Sequence, residues 1–553
     1  MSFKIKFPPQ NGLLIALTFL MLSSTVNADV SSFKNWKYRW WEHIRAERQA
    51  DHDQHLVNQK ENFDKYRSMP TGTIGVPAVI FRLFPYVLPE IWGTPESNFS
   101  VLGLIPDKYD SDAVFPIGLG HIEGAISVPT PQGDFHMRVV SNTCAACHTG
   151  RVELEDGSTN ILIGAPATEY KATMFRGMQY ATVNSEKYTA QNFIDALDQL
   201  PVGWLYGDPD LIEQEVMERA IFTSGAQQMM DSVKASINAG SQHVAATLGA
   251  YTYSGPNAPD LSQPKPGRMD AGGGYASMTV DPAQMSPEFL QAVLPPKPAI
   301  SDLMYVWKMG ERPNSKWGGE IGDHTHSLAG AAMGIIGSPN FVEMESINSS
   351  VEFVWDLPPT PYPFVVKRNR AKFGKRLFKR HCASCHEDRL DERMTPEEVG
   401  TDPNRSMIFS DHAIDTLRGL LRIACSDPVT CSDDSGNPIP DDVLITNSKA
   451  YAVLPLYGIW ARAPYLHNGS VPTLRALLTG NRPETFYRGN ITYDQKNVGF
   501  TWDEANSVHA VLYDTTIDGN SNVGHDSAEF TGGVDWSRSP VRLEALLEYL
   551  KTL

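Results

Sequence analysis

Cysteine is scarce, six in 553 residues. That excludes a scaffold framed by many disulfides. Long apolar runs are scarce too. Beyond the N-terminus no segment reaches the about eighteen uninterrupted apolar residues of a spanning helix, so no stable membrane span is expected in the mature chain. Positive charge is in deficit: 47 Lys and Arg stand against 64 Asp and Glu, for a formal charge of −17. This argues against nucleic acid and anionic membrane surfaces as partners, and is compatible with a basic redox partner or a neutral apolar substrate. Strand-like alternation is sparse while helical periodicity recurs, so the expected fold is mainly α. With 41% hydrophobic and 20% charged residues, the chain is long enough for two or three domains and too long for a small electron carrier.

Four of the six cysteines fall into two copies of one short pattern, Cys144-Ala145-Ala146-Cys147-His148 and Cys382-Ala383-Ser384-Cys385-His386. C-x-x-C-H is the attachment signature of a c-type haem. The two thiols form thioethers to the haem, and the adjacent histidine is placed to ligate the iron. The alternative, a zinc site built from both cysteine pairs, is disfavoured because a histidine follows each pair directly and the pairs lie far apart. Two covalently bound haem c groups are therefore expected, with His148 and His386 as proximal ligands.

The N-terminus carries Lys4 and Lys6, an apolar stretch from Gly12 to Leu22 and the small-residue site Val26-Asn27-Ala28. This reads as a secretory signal over residues 1–28, so a periplasmic or secreted protein is expected. An exported chain permits disulfides, and the remaining cysteines, Cys425 and Cys431, are expected to form one. Residues 29–140 read as an N-terminal extension that opens on a charged aromatic helix and continues as Pro- and Gly-rich irregular chain. On that helix His52 and His55 share a face, read as solvated. Residues 141–350 would form the first c-type haem domain, with helices near Ala190–Leu200 and Asp210–Ser232 and a Gly/Pro-rich surface loop after them. The Pro-rich run Asp356–Phe364 reads as a linker. Residues 351–553 would form the second haem domain, entered by a basic amphipathic helix from Arg368 to Arg380 that runs into Cys382.

The segment Leu454–Leu474 (LPLYGIWARAPYLHNGSVPTL) resembles the di-haem cytochrome c peroxidase superfamily, which carries a related A-P-Y-x-H-[DN]-G run. Asn481–Phe500 and Gly519–His525 are similar to the branch containing the haem-dependent rubber oxygenases and fatty-acid dioxygenases. The resemblance implies a tryptophan between the haems in a W-D-G-like turn. Trp317-Gly318-Gly319 is the candidate, with Gly318 where the pattern has aspartate. It also implies that the open side of the first haem is faced about fourteen residues later, at Ala331-Ala332-Met333, against the bland reading of a small-residue helix packed in a core. A calcium ion between the haem domains is implied for the wider superfamily, but no ligands for it are identifiable in the chain.

For the sixth ligand of the second haem the resemblance favours His525 over His467, with Met394 or Met407 behind them. For the first haem, His243, His324 and His326 are candidates, none in a ligand-like motif. The first haem is thus read as the active one and the second as an electron relay, with Trp317 beside the path and Glu320 available as an acid/base. Three functions compete. The first is an oxygenase acting with O2 on an unsaturated apolar substrate, and the second a peroxidase reducing H2O2 with electrons from a small donor protein. The third is a non-catalytic electron-transfer cytochrome, which needs a sixth ligand on both haems.

Overall fold

The computed structural model describes residues 30–130, 133–250, 266–270, 286, 300–390, 392–425, 432, 437–526 and 530–553. The expected export signal, Cys431, and nearly all of the Gly/Pro-rich stretch from 251 to 299 lie outside them. Among the described residues helices predominate, and no helix is long and apolar enough to cross a membrane.

The N-terminal region is more ordered than its composition indicates. Two helices, Val30–Asn58 and Lys60–Ser68, are followed by the apolar helix Ala78–Val87. A long antiparallel hairpin, Leu119–Thr130 with Gly133–Asn142, then carries the chain to Cys144, and Val76–Pro77 adds a third strand. The strand period was hidden because a register shift between Glu123 and Ser127 breaks the alternation.

The face carrying His52 and His55 is not solvated. His52 is buried and its Nδ1 lies 2.8 Å from the Pro358 carbonyl, while His55 Nε2 lies 2.7 Å from that of Phe353. Trp41 donates to the Tyr362 carbonyl at 3.3 Å. The first helix thus straps the Pro-rich run expected to be a linker. Leu357, Thr360 and Tyr362 are buried there, because prolines leave neighbouring carbonyls free to accept bonds from outside the segment.

One hydrophobic core joins Trp41, Ala145, Trp307, Phe353, Tyr362, Trp460 and Leu546. It crosses the expected boundary at 350. A second core lies under the hairpin and includes Phe81, Trp92, Met137, Phe193 and Phe222. The Ala190–Asp198 helix forms as expected, and the next one runs from Ile212 to Ala250 with a kink at Gly225.

The chain also contains a local structure that occurs twice. In the first copy Lys308 takes a left-handed conformation, a short 3-10 turn spans Met309–Glu311, and Lys316 and Gly319 are again left-handed around a bridge between Ser315 and Ile321. In the second copy the same positions fall on Gly458, Ile459–Ala461, Leu466 and Gly469, around a bridge between Tyr465 and Val471. A helix follows each, capped by Asp323 and by Thr473. The offset is constant, but few identities survive it beyond Arg312 with Arg462 and Gly319 with Gly469.

The Arg368–His381 helix packs against Pro540–Leu550 through Gly374. A Cβ built there would sit 1.9 Å from the Ala545 carbonyl oxygen. Gly374→Ala is therefore expected to destabilise the fold by about 1–3 kcal/mol, as overpacking does. Urea unfolding checks this, with Gly177→Ala, which meets nothing within 4 Å, as the control.

Candidate haem sites

The first C-x-x-C-H motif leaves the hairpin through Thr143, whose hydroxyl accepts from the Ala145 N–H and caps the short turn Cys144–Ala146. His148 is held from two sides. Its Nδ1 lies 2.7 Å from the Met304 carbonyl, and Tyr66 donates to its own carbonyl at 2.7 Å. The second motif leaves the Arg368–His381 helix directly, and His386 Nδ1 lies 3.1 Å from the Leu454 carbonyl. Met304 and Leu454 are equivalent positions of the repeated structure. A carbonyl only accepts, so Nδ1 carries the proton in both rings, and Nε2 keeps its lone pair for a metal.

Burial pushes the His148 imidazole down to about 4, aided by Lys316 and Arg312, and lowers His386 as well. Both rings are therefore neutral, as ligation requires. Burial also pushes the Cys144 thiol up to about 11, and those of Cys147 and Cys382 up to about 12. Cys144, His148, Cys382 and His386 nevertheless keep part of their surface accessible.

The two sites differ across from the histidine. The His525 ring lies 6.2 Å from that of His386, centre to centre, with the planes 26° apart. Two imidazole–metal bonds of roughly 2 Å, with about 1.1 Å from each nitrogen to its ring centre, span about 6 Å. The pair therefore fits a metal set between the rings. His525 Nδ1 is buried without a hydrogen-bond partner, and burial and His386 push the ring down to about 4. Its backbone is left-handed, φ 59°, a strained state that surrounding structure must impose. Arg482 does so by donating to the carbonyls of Asn522 and Gly524. Among the described residues His148 has no imidazole opposite it.

The other candidate ligands lie elsewhere. His467 does not face His386. Its ring stacks on Tyr451 at 4.3 Å, its Nε2 is 3.1 Å from the Tyr451 hydroxyl, and burial with Arg405 and Arg268 pushes it down to about 3. Met394 is buried in a short strand and Met407 is exposed. His324 Nε2 lies 3.0 Å from the Arg312 carbonyl, His326 Nδ1 lies 2.6 Å from the Asp323 carboxylate, and the side chain of His243 is outside the described residues.

His467 is the positional counterpart of Trp317, and the two copies bind each other reciprocally at these residues. The Ala452 N–H donates to the Trp317 carbonyl at 2.8 Å, and the Asp302 N–H to the His467 carbonyl at 2.9 Å. The Trp317 indole donates to the Asp302 carbonyl at 2.8 Å. Asp302 and Ala452 each stand two residues before the carbonyl that holds a motif histidine. Trp317 therefore lies on the connection between the two sites.

Glu320 is not an open acid/base. It is buried, ion-paired to Arg405 at 2.5 Å, and accepts from the Gly318 N–H at 3.2 Å. This also accounts for Gly318, because a side chain there would meet the Glu320 carboxylate at 2.6 Å. Ala332 is packed against Ile347 in a small core and does not present an open face, while Ala331 keeps an accessible surface on the same helix.

Several charged residues that sequence spacing does not single out surround this junction. Arg268 is buried with no hydrogen bond to Nε or Nη1, and its Nε shares the Asp302 carboxylate with Arg488 as a longer ion pair of 3.9 Å. Burial and Arg405 push Lys316 down to about 8, and it acts electrostatically on both first-motif thiols. Arg268 sat in a Gly/Pro-rich run and Lys316 before an aromatic, positions with no motif to mark them. Among the described residues no group of three or more His, Cys, Asp or Glu side chains could hold a separate metal ion, so no calcium site is identified. Cys425 is disulfide-bonded, and its expected partner Cys431 lies outside the described residues.

Residues 450–488, which contain the Tyr451–His467 stack, match a family model described as RoxA-like, cytochrome c-like. Residues 62–148, which contain the hairpin and the first motif, match a Y4iN-like domain. The chain is similar to three uncharacterized proteins of Sinorhizobium fredii. It is 34% identical to y4iM over 47% of this chain and 66% of that protein, and 45% identical to y4iJ over 28% and 30%. To y4iN it is 31% identical over 14% and 38%. The matches thus span less than two thirds of these relatives' own lengths. The cytochrome c-like segment ties the chain to a haem-related role.

Removing one partner of a buried ion pair leaves the other charge uncompensated. Glu320→Gln is expected to lower stability by roughly 3–5 kcal/mol in urea unfolding, with the Glu320→Gln, Arg405→Met double variant less impaired than the single one. An equal loss in both would show that the Arg405 charge is not what the carboxylate compensates.

Proposed function

We propose that the chain is an exported di-haem c-type oxidoreductase in which the haem at Cys144–His148 meets the substrate and the haem at Cys382–His386 supplies electrons. The observation that supports this most is the asymmetry of the two histidines. His525 stands opposite His386 at a distance that fits an iron with two imidazole ligands, and no described imidazole stands opposite His148. Haem c, when bound, supplies an iron that passes single electrons and, where a coordination position is open, takes up O2 or peroxide.

The chain's own residues would do the rest. Met304 and Leu454 orient the proximal rings and keep Nε2 unprotonated. His525 closes the second site, which suits electron transfer. Trp317, bonded to Asp302 on one side and Ala452 on the other, connects the two. The preferred reaction is oxygenation of an unsaturated apolar substrate, supported by the similarity of residues 450–488 to a RoxA-like segment. Reduction of H2O2 is the second reading, and the cation Lys316 beside the first-motif thiols favours it, because positive charge near the reacting centre stabilises developing negative charge on oxygen.

Absorption and EPR spectra of the purified holoprotein test the asymmetry. One low-spin haem and one open haem that binds CO are expected, and two low-spin haems inert to CO would leave only the electron-carrier reading. His525→Ala is expected to turn the low-spin signal high-spin, whereas an unchanged signal would remove His525 as a ligand. O2 uptake on polyisoprene or unsaturated lipid, without added peroxide, supports oxygenation. Turnover with H2O2 and a reduced donor alone would replace it with the second reading.

A further inference from the structure

The Arg368–His381 helix carries positive charge that the fold does not use. Ala371, Gly374, Leu377 and Phe378 form its buried side. Lys372, Lys375, Arg376, Lys379 and Arg380 are exposed. Their spacing of three and four residues lines most of them up along one face. Lys379 is paired with Glu387, whereas Lys372, Lys375, Arg376 and Arg380 have no carboxylate partner among the described residues. Like charges at these spacings repel one another, while Lys379 and Arg380 lie in the last turn, where the helix dipole favours cations. Lys372, Lys375 and Arg376 thus repel one another with no carboxylate to offset them among the described residues, in a chain whose net charge is −17.

Its position is also specific, since the helix ends directly on Cys382, the first attachment residue of the second motif. Beside it Phe373, Pro540 and Val541 line a shallow apolar cleft edged by Arg370 and Glu544, and Val541 is 75% exposed. An apolar centre flanked by charge is the usual composition of a protein contact. We propose that this face docks a small acidic one-electron carrier protein, which reduces the second haem across the Cys382 edge. One electron passes from the reduced carrier to the ferric haem, and no bond forms or breaks. The proposal rests on the di-haem reading above. It also reverses the partner that net charge implies. At contact, groups beyond a Debye length of about 8–10 Å are screened, so the stripe outweighs the acidic remainder. A broad anionic membrane would meet that remainder as well, which favours a small partner.

The test uses the full-length holoprotein. Reduced protein is mixed with ferricyanide, a trianion, and separately with hexaammineruthenium(III), and oxidation of the low-spin haem is followed by stopped flow from about 10 to about 200 mM salt. The expected ferricyanide rate falls several-fold as salt rises, and that of the ruthenium complex does not. The variant Lys372→Glu, Lys375→Glu, Arg376→Glu is expected to slow ferricyanide about tenfold at low salt and to reverse its salt dependence. These positions are exposed, and circular dichroism confirms that the variant folds. A rate that rises with salt in both proteins would overturn the proposal, because net charge would then govern approach. Binding of oxidised acidic flavodoxin by sedimentation reads the surface without electron transfer, and its loss in the variant supports the proposal. Flavodoxin binding that the variant retains would overturn it. So would self-association, or binding to phosphatidylglycerol vesicles, that the variant abolishes in place of flavodoxin binding. If Cys382→Ala, Cys385→Ala leaves the haem content unchanged in the pyridine haemochrome, the second motif carries no haem and the di-haem reading fails, while the flavodoxin arm still decides whether the stripe is a docking face.

Discussion

Everything at the centre of this protein depends on two backbone carbonyls, those of Met304 and Leu454, each accepting the Nδ1 proton of a motif histidine. An imidazole presented to a metal needs its other nitrogen fixed, or the ring turns and the tautomer changes. Here the acceptor comes from far along the chain in both cases, so neither motif is complete within its own segment. The carbonyls are set in turn by a reciprocal pair of backbone hydrogen bonds, from the Asp302 N–H to the His467 carbonyl and from the Ala452 N–H to the Trp317 carbonyl. Each copy of the repeated structure therefore positions a histidine only while the other copy is in place. The shared hydrophobic core, which runs through both, is the packing counterpart of that exchange.

Charge at the junction follows from the same geometry. Bringing two turns together buries Arg268, Arg405 and Glu320 and leaves Asp302 and Lys316 only partly accessible, and buried charges are costly unless paired. Arg405 and Glu320 neutralise each other, and Arg488 and Arg268 share Asp302. The neutral state of His467 results from burial first, and then from Arg405 and Arg268. Arg268 Nε and Nη1 are buried without a hydrogen bond.

The residues that announce chemistry were readable from the chain, and those that arrange it were not. Cys144 to His148 and Cys382 to His386 are local patterns, so spacing alone marks them. His525 was favoured over His467 by resemblance, and the geometry sets it, and not His467, opposite His386. Glu320, by contrast, looked free because its partner Arg405 is distant in sequence and no spacing rule connects them. Ala332 was read as facing an open site, yet packing against Ile347 takes it into a core. The repeat was invisible because it is written in backbone conformation. Lys316 and Leu466 share a left-handed φ without sharing chemistry. The N-terminal region was misread as irregular because a bulge interrupts its alternation, and its buried histidines because their acceptors are carbonyls of a proline-rich run.

Gly374 gives the basic helix a fixed rotation. With no Cβ between its backbone and the Ala545 carbonyl, the helix lies so close to its neighbour that rolling it would bring larger side chains into the seam. The row of lysines and arginines therefore springs from a fixed line of backbone positions, while each exposed side chain keeps its own rotamer freedom. A body meeting that line costs the protein no backbone ordering, only the rotamer freedom of the side chains it engages. Contacts that leave the backbone in place form and part quickly, the timing that the proposed delivery of single electrons would call for.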